Sequence, residues 1–190
     1  MPEHVLSEDW KNGGFGIYFH WPFCAAKCPY CDFNSHVRNN IDQKQWLKSY
    51  LSEINRFSKN TSSRFLDSVF FGGGTPSLIE PWVINDILNE IQKHWTTKEN
   101  FEVTLEANPG SVDAKNFKAY KSAGVNRISM GIQSLNEKDL KALGRTHTVK
   151  EALSAFEIAQ KNFTAVSFDL IYARQNQKLT QWEMELNQAL

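Results

Sequence analysis

The strongest constraint on this chain is a repeated alternation of short β-like runs with amphipathic helical patterns, starting near Gly16 and continuing to the C-terminus. Gly16–His20 is an aromatic and β-branched run, followed by a helical pattern at Trp46, Leu47, Tyr50, Leu51, Ile54 and Phe57. Ser68–Phe71 reads as the next strand, and Ile84, Ile87, Leu88, Ile91 and Trp95 mark a helix behind it. Phe101–Glu106 is a third strand, whose helix carries Phe117 and Tyr120 and is expected to stop at Gly124, a residue free to turn left-handed past a helix end. Val125–Ile132 and Ala165–Ile171 complete the strands, with Val149, Leu153, Phe156 and Ala159 on the helix between them. A last helix is expected to open on Thr180 with Glu183 as its capping box. No repeat, low-complexity tract or linker breaks the series.

Such alternation implies parallel strands joined by right-handed helical crossovers. An open doubly wound sheet and a (β/α) barrel both satisfy it, and strand parity separates them. Tyr18 and His20 share a face, as do Thr104 and Glu106, then Ser129, Gly131 and Gln133, then Ser167 and Asp169. Polar groups therefore recur on one face toward the strands' C-terminal ends, where barrel sites are built. Strands buried on both faces would read as unbroken apolar runs. The expected fold class is α/β: an incomplete (β/α) barrel of parallel strands with outer helices, about five βα units long. Residues 1–14 are read as an N-terminal extension and 15–190 as the partial barrel domain. Five strands do not close a barrel. The rest is expected either to lie elsewhere or to be missing from a truncated product.

Charge narrows the function classes. Lys+Arg and Asp+Glu both number 21, so the formal net charge is zero, and no basic run offers a footprint for nucleic acid. The segment from Met1 to Trp10 lacks the basic and apolar regions of a secretory signal. No apolar stretch is long enough for a membrane span, and a cytoplasmic location is expected. The chain has three cysteines, all within eight residues, and an odd count cannot close a disulfide framework.

Those cysteines form Cys24-x-x-x-Cys28-x-x-Cys31, in the loop after the first strand. Four thiolates normally hold an iron–sulfur cluster, so three would leave one iron open to a substrate or cofactor. Zinc is the competing reading, with His20 or His36 as fourth ligand. Buried structural cysteines are the third.

The surrounding pattern, Tyr18-x-His20-x-Pro22-Phe23-Cys24-x-x-x-Cys28-x-Tyr30-Cys31-x-Phe33, resembles radical S-adenosylmethionine (SAM) proteins of the oxygen-independent coproporphyrinogen III oxidase superfamily. The likeness runs from about Gly16 to the end. It takes in the Gly72-Gly73-Gly74-Thr75-Pro76-Ser77 turn, Glu106-Ala107-Asn108-Pro109, Gly124-Val125-Asn126-Arg127, Gly131-Ile132-Gln133-Ser134, Leu143-Gly144-Arg145 and Asp169-Leu170-Ile171-Tyr172. The resemblance implies a 4Fe–4S cluster on Cys24, Cys28 and Cys31. SAM would chelate the open iron through its amino and carboxylate groups, and one electron would release a 5′-deoxyadenosyl radical.

It further implies that Gly73, Gly74 and Thr75 let the backbone approach the methionine ammonium, with Glu106 accepting from the same group. Arg145 would pair with the SAM carboxylate through its forked donors. Asp169 would hold the ribose hydroxyls, Gln133 would make a further contact, and Tyr18 and Tyr30 would flank SAM. His20 is open between a role near the cluster and a satisfied core histidine.

Within the superfamily the chain resembles the haem-chaperone branch more than the oxidases. The oxidases carry a further cysteine two residues past the third ligand, where this chain has Phe33, and a longer N-terminal arm. The resemblance thus implies a haem-trafficking protein, with haem bound by a full-length form, a haem-acceptor protein and an electron donor as partners. A porphyrinogen oxidase and an inactive remnant are the alternatives. In place of the family's Gly-Leu-Pro after Tyr172 stands Ala173-Arg174-Gln175, which changes the backbone conformations open to that loop.

Overall fold

The computed structural model describes residues 10–111 and 114–190. Residues 1–9, most of the expected N-terminal extension, lie outside the described residues. The elements run α1 (Trp10–Gly13), β1 (Gly16–Trp21), β2 (Phe23–Cys24), β3 (His36–Val37), α2 (Gln43–Thr61), β4 (Leu66–Gly73), α3 (Pro81–His94), β5 (Thr97–Ala107) and α4 (Ala114–Ser122). β6 (Arg127–Gln133), α5 (Glu137–Ala142), α6 (Val149–Asn162), β7 (Ala165–Leu170) and α7 (Leu179–Ala189) follow.

One five-stranded sheet in the order β1-β4-β5-β6-β7 carries the fold, and every pairing in it is parallel. Strand order follows chain order, as successive right-handed crossovers dictate. The sheet stays open, with β1 and β7 as its edges. β2 and β3 form a separate two-stranded parallel ladder.

Parity sets the layers. Along β6, Ile128, Met130 and Ile132 are buried while Arg127, Ser129, Gly131 and Gln133 are half-buried. The buried set joins Phe19, Trp21, Val69, Phe71, Val103 and Leu105 from neighbouring strands in one core with Val83, Ile84, Ile87 and Ile91 of α3. Fully burying a side chain of this size is worth about 1.5–3 kcal/mol, so this layer dominates the sheet's stability. The opposite face is polar. On it, the Arg127 guanidinium donates to Thr104 Oγ1 at 3.2 Å and to Ser167 Oγ at 3.0 Å, stitching β5, β6 and β7.

Helix ends follow local chemistry. Gly124 adopts φ +110°, and the Val125 N–H returns to Tyr120 O at 3.1 Å, closing α4 as expected. The expected capping box at Thr180 is corrected: α7 begins at Leu179 with Lys178 as its N-cap. The Gln181 side chain takes the Lys178 N–H at 2.8 Å, which leaves Thr180 inside the first turn. A reciprocal box forms instead at Thr148 and Glu151, opening α6. The six-residue α5, capped by Asn136, is too short for its periodicity to stand out in the sequence.

If parity sets the layers, neighbouring residues of β6 should respond very differently to truncation. Ile128→Ala should cost about 2–5 kcal/mol in a urea unfolding experiment. Ser129→Ala should cost about 0.5 kcal/mol or less. Equal costs would contradict the assignment of faces.

Candidate cofactor site

The cysteine loop is held at both ends. It leaves from β2, where Cys24 is buried, and returns through β3, where the His36 N–H donates to Pro22 O at 2.7 Å. Inside the loop the Cys31 N–H donates to Cys28 O at 3.1 Å. Side chains then take carbonyls of its return segment: Lys27 Nζ reaches Phe33 O at 3.3 Å and Ser35 O at 3.1 Å. His20 Nε2 lies 2.8 Å from Asn34 O. His20 is thus engaged in bracing the loop, with Tyr18 Oη 3.4 Å from its Nδ1.

The glycine turn at the end of β4 presses against this loop. Gly73 sits at φ +112°, where a side chain is strained, and a Cβ there would lie 2.7 Å from the His20 ring. At Gly74 a Cβ would meet Phe23 O at 2.6 Å and Cys24 Sγ at 3.0 Å. The turn's N–H groups are used within the protein: Gly74 donates to Trp21 O at 2.7 Å and Thr75 to Phe23 O at 2.8 Å. Gly73 donates to Glu106 Oε2 at 3.1 Å.

These elements enclose a cavity of about 350 Å³ on the polar side of the sheet. Cys24, Cys28, Cys31, Tyr30, Gly73, Gly74, Thr75, Glu106, Gln133, Arg145 and Asp169 all line it. Tyr18 does not; it is largely exposed and packs against His20 and Phe70. The sequence reading missed Lys27, Asn108, Ser129 and Gly131 as lining residues. Strand parity with Gln133 was the available signal for Ser129 and Gly131. Asn108 stands inside a motif already singled out.

Arg145 links the two sides. Its guanidinium reaches Gly131 O of β6 at 2.9 Å, and Cys28 Sγ and Tyr30 Oη of the loop at 3.4 Å each. Its Nε is buried without a hydrogen-bond partner among the described residues. Burial pushes the Tyr30 phenol up to about 12, against the opposing pull of Arg145. Burial also raises the Glu106 carboxyl; the Gly73 N–H works against that shift and Asp169 adds to it. Two carboxyls facing one cavity favour a cationic group between them. Gln133 adopts φ 73°, a costly conformation for a side-chain-bearing residue and common at functional sites. Its carbonyl accepts the Ile171 N–H at 2.9 Å.

Three cysteines line this cavity, the donor type that iron–sulfur clusters take. No three His, Cys, Asp or Glu side chains among the described residues converge as ligands of one ion. A cluster seats each thiolate on a separate iron, which asks for sulfurs spread around a cavity wall. Glu106, Asp169 and Arg145 on the cavity wall give it groups of both charge signs.

No helix among the described residues is long and apolar enough to cross a membrane. Comparison with known proteins agrees with the geometry. The chain is 43% identical over 180 residues to the heme chaperone HemW of Haemophilus influenzae, covering 92% of this chain and 47% of that protein. It is 37% identical over 171 residues to radical S-adenosyl methionine domain-containing protein 1, mitochondrial, of Bos taurus, covering 90% of this chain and 39% of that one. The chain thus spans less than half the length of these relatives. The solved coproporphyrinogen III oxidase HemN of Escherichia coli superposes with a TM-score of 0.82 at 23% identity, covering 92% of this chain and 41% of that one, a likeness of fold. Residues 18–184 match the Radical SAM superfamily, and the chain belongs to that superfamily.

Proposed function

We propose that this chain is the cluster- and SAM-binding part of a haem chaperone, which carries haem to an acceptor protein and draws on an external electron donor. The observation that carries this reading is the convergence of three cysteines, a glycine turn, Arg145 and two carboxylates on one cavity. The haem assignment is supported by the relatives named as heme chaperones. Phe33, exposed at the cavity rim, stands where the oxidases carry a further cysteine, and that disfavours porphyrinogen oxidation. A reducing compartment such as the cytoplasm suits three free thiols.

In this reading Cys24, Cys28 and Cys31 hold a 4Fe–4S cluster. When bound and reduced, it would supply an electron and an iron open to SAM. The remaining work belongs to the chain's own residues. Glu106 accepts from the N–H groups of SAM's amino nitrogen, and the sulfonium's positive charge in the same cavity favours the ionised carboxyl. Arg145, on the cavity wall, offers its guanidinium to the carboxylate, a charge-assisted contact. Asp169 accepts from the ribose hydroxyls, while Gln133 and Tyr30 limit water and fix the ligand's orientation. Tyr18 acts from behind the cavity by steadying His20.

Anaerobic reconstitution with iron and sulfide, followed by reduction, tests this reading. The electron paramagnetic resonance signal should shift on adding SAM. Arg145→Met should form the cluster but need about tenfold or more SAM for the same shift, as expected for losing a hydrogen bond to a charged group. A cluster in the parent chain that ignores SAM would sink the proposal.

Glu106 offers a second check in the cluster-free chain. Its folded carboxyl keeps its proton to higher pH than the unfolded one. Folding therefore loses stability as pH rises from the ordinary carboxylate range, about 4.3, through the raised value. Glu106→Gln removes that loss. The variant should be more stable than the parent at pH 7, should lose its advantage near pH 4, and should bind SAM more weakly. Urea midpoints across that range, with a SAM titration at pH 7, read all three effects.

A further inference from the structure

The last helix is attached in an unusual way. Its buried residue is a carboxylate, Glu185, while Leu179, Met184 and Leu186 stay exposed. Opposite it is Arg174, the central residue of the segment that departs from the family pattern. The two side chains are each only 6% exposed, and Arg174 Nη2 lies 2.5 Å from Glu185 Oε2. The same guanidinium reaches Asp139 Oδ2 of α5 at 2.9 Å and Ile171 O at 2.5 Å. Glu185 uses its other oxygen on the β6–α5 connection, accepting from Ser134 Oγ at 2.5 Å and the Leu135 N–H at 2.7 Å. Ser134 Oγ in turn accepts the Asn136 N–H at 3.1 Å, and Asn136 caps α5.

These bonds close a ring: Arg174, Glu185, the Ser134–Asn136 connection, α5 through Asp139, and back to Arg174. The ring's two exits lead to the cavity. Gln133 immediately precedes Ser134. Arg145 follows α5, with its N–H bonded to Leu140 O at 2.9 Å. Ala173 at φ 55° and Asn176 at φ 61° flank Arg174 in left-handed conformations, which persist only where surrounding bonds hold them.

Stability alone does not account for this arrangement. A buried ion pair is commonly no better than an apolar pair of similar volume, although breaking one partner is strongly destabilising. What the ions add is direction, since an apolar pair satisfies neither the Leu135 N–H nor the Ser134 hydroxyl. Burial works against the charge on Glu185, yet Arg174, Ser134 and the Leu135 N–H together hold its carboxyl below the ordinary range. Glu185 therefore stays ionised at neutral pH.

We propose that Arg174 is a positioning residue: paired with Glu185, it latches α7 to the β6–α5 connection and so sets Gln133 and Arg145 in the cysteine cavity. The ligand side of this inference rests on reading that cavity as the SAM site. The segment Ala173-Arg174-Gln175 thereby replaces a turn defined by glycine and proline with one defined by a buried guanidinium.

The test compares the parent chain, Arg174→Met and the double variant Arg174→Met/Glu185→Leu. Amide hydrogen exchange is followed over residues 134–145 without cluster, urea midpoints are measured, and SAM affinity is measured after reconstitution. Arg174→Met should speed exchange across 134–145 by about tenfold or more, leave β1 and β4 unchanged, and lower the midpoint. The double variant, with no unpaired buried charge, should recover the midpoint. It should not recover protection at Leu135, and its SAM affinity should stay about tenfold or more below the parent. A double variant that regains midpoint, protection and affinity together would reduce the ring to packing and overturn the proposal. So would unaltered exchange in Arg174→Met. If that variant fails to fold, the double variant decides alone. If the parent itself ignores SAM, the site reading falls while the exchange data still judge the latch.

Discussion

The structure depends first on how closely the β4 glycine turn approaches the strand that ends in Cys24. A methyl group at Gly74 would sit 2.6 Å from a backbone carbonyl and 3.0 Å from the Cys24 sulfur, so no side chain is compatible with this packing. The approach gives the cavity its floor. It places the first cysteine beside the C-terminal ends of β4 and β5, and lets the Gly73 N–H engage Glu106. The loop carrying the other two cysteines is then drawn over the cavity by His20, Lys27 and the β2–β3 ladder. Arg145 ties that loop to β6 from the far side.

The sheet's two faces divide the labour. One carries the apolar core against α3 and its neighbours and supplies stability. The other is polar over β5, β6 and β7, with Arg127, Thr104 and Ser167 bonded in a layer beneath the cavity. A charged, partly buried layer contributes little net stability, but it leaves Ser129, Gly131, Gln133 and Asp169 aligned above it. The same economy recurs at α7, where an ion ring rather than an apolar stripe holds the helix. Positions near the cavity are thus fixed by directed bonds, and positions far from it by packing.

Much of this was legible in the sequence because it rests on local, periodic signals. The alternation of Ile128, Met130 and Ile132 with Ser129, Gly131 and Gln133 announces both the strand and its two faces. The cysteine spacing marks the loop, and Gly124 marks the end of α4. What escaped reading depends on contacts distant in sequence. Lys27 earns its place only once Ser35 is brought back to it, and Arg174 meets Glu185 and Asp139 through three separate elements. In isolation Arg174 reads as a lost turn. The resemblance placed Tyr18 beside SAM, yet the first strand lies at the sheet's edge, and there the ring packs against Phe70. The helix opening at Lys178 rather than Thr180 reflects Gln181, a residue as able as glutamate to close a first turn.

At the centre of the proposal, three thiolates hold a four-iron cluster whose remaining iron is open to SAM. Mössbauer spectroscopy of the chain reconstituted with iron-57 tests this most directly, because it reports each iron's coordination separately. Adding SAM should change the spectrum of one iron in four, toward higher coordination with nitrogen and oxygen donors, and leave the other three as thiolate-bound sites. Four irons that stay alike with and without SAM, or iron bound singly, would contradict it.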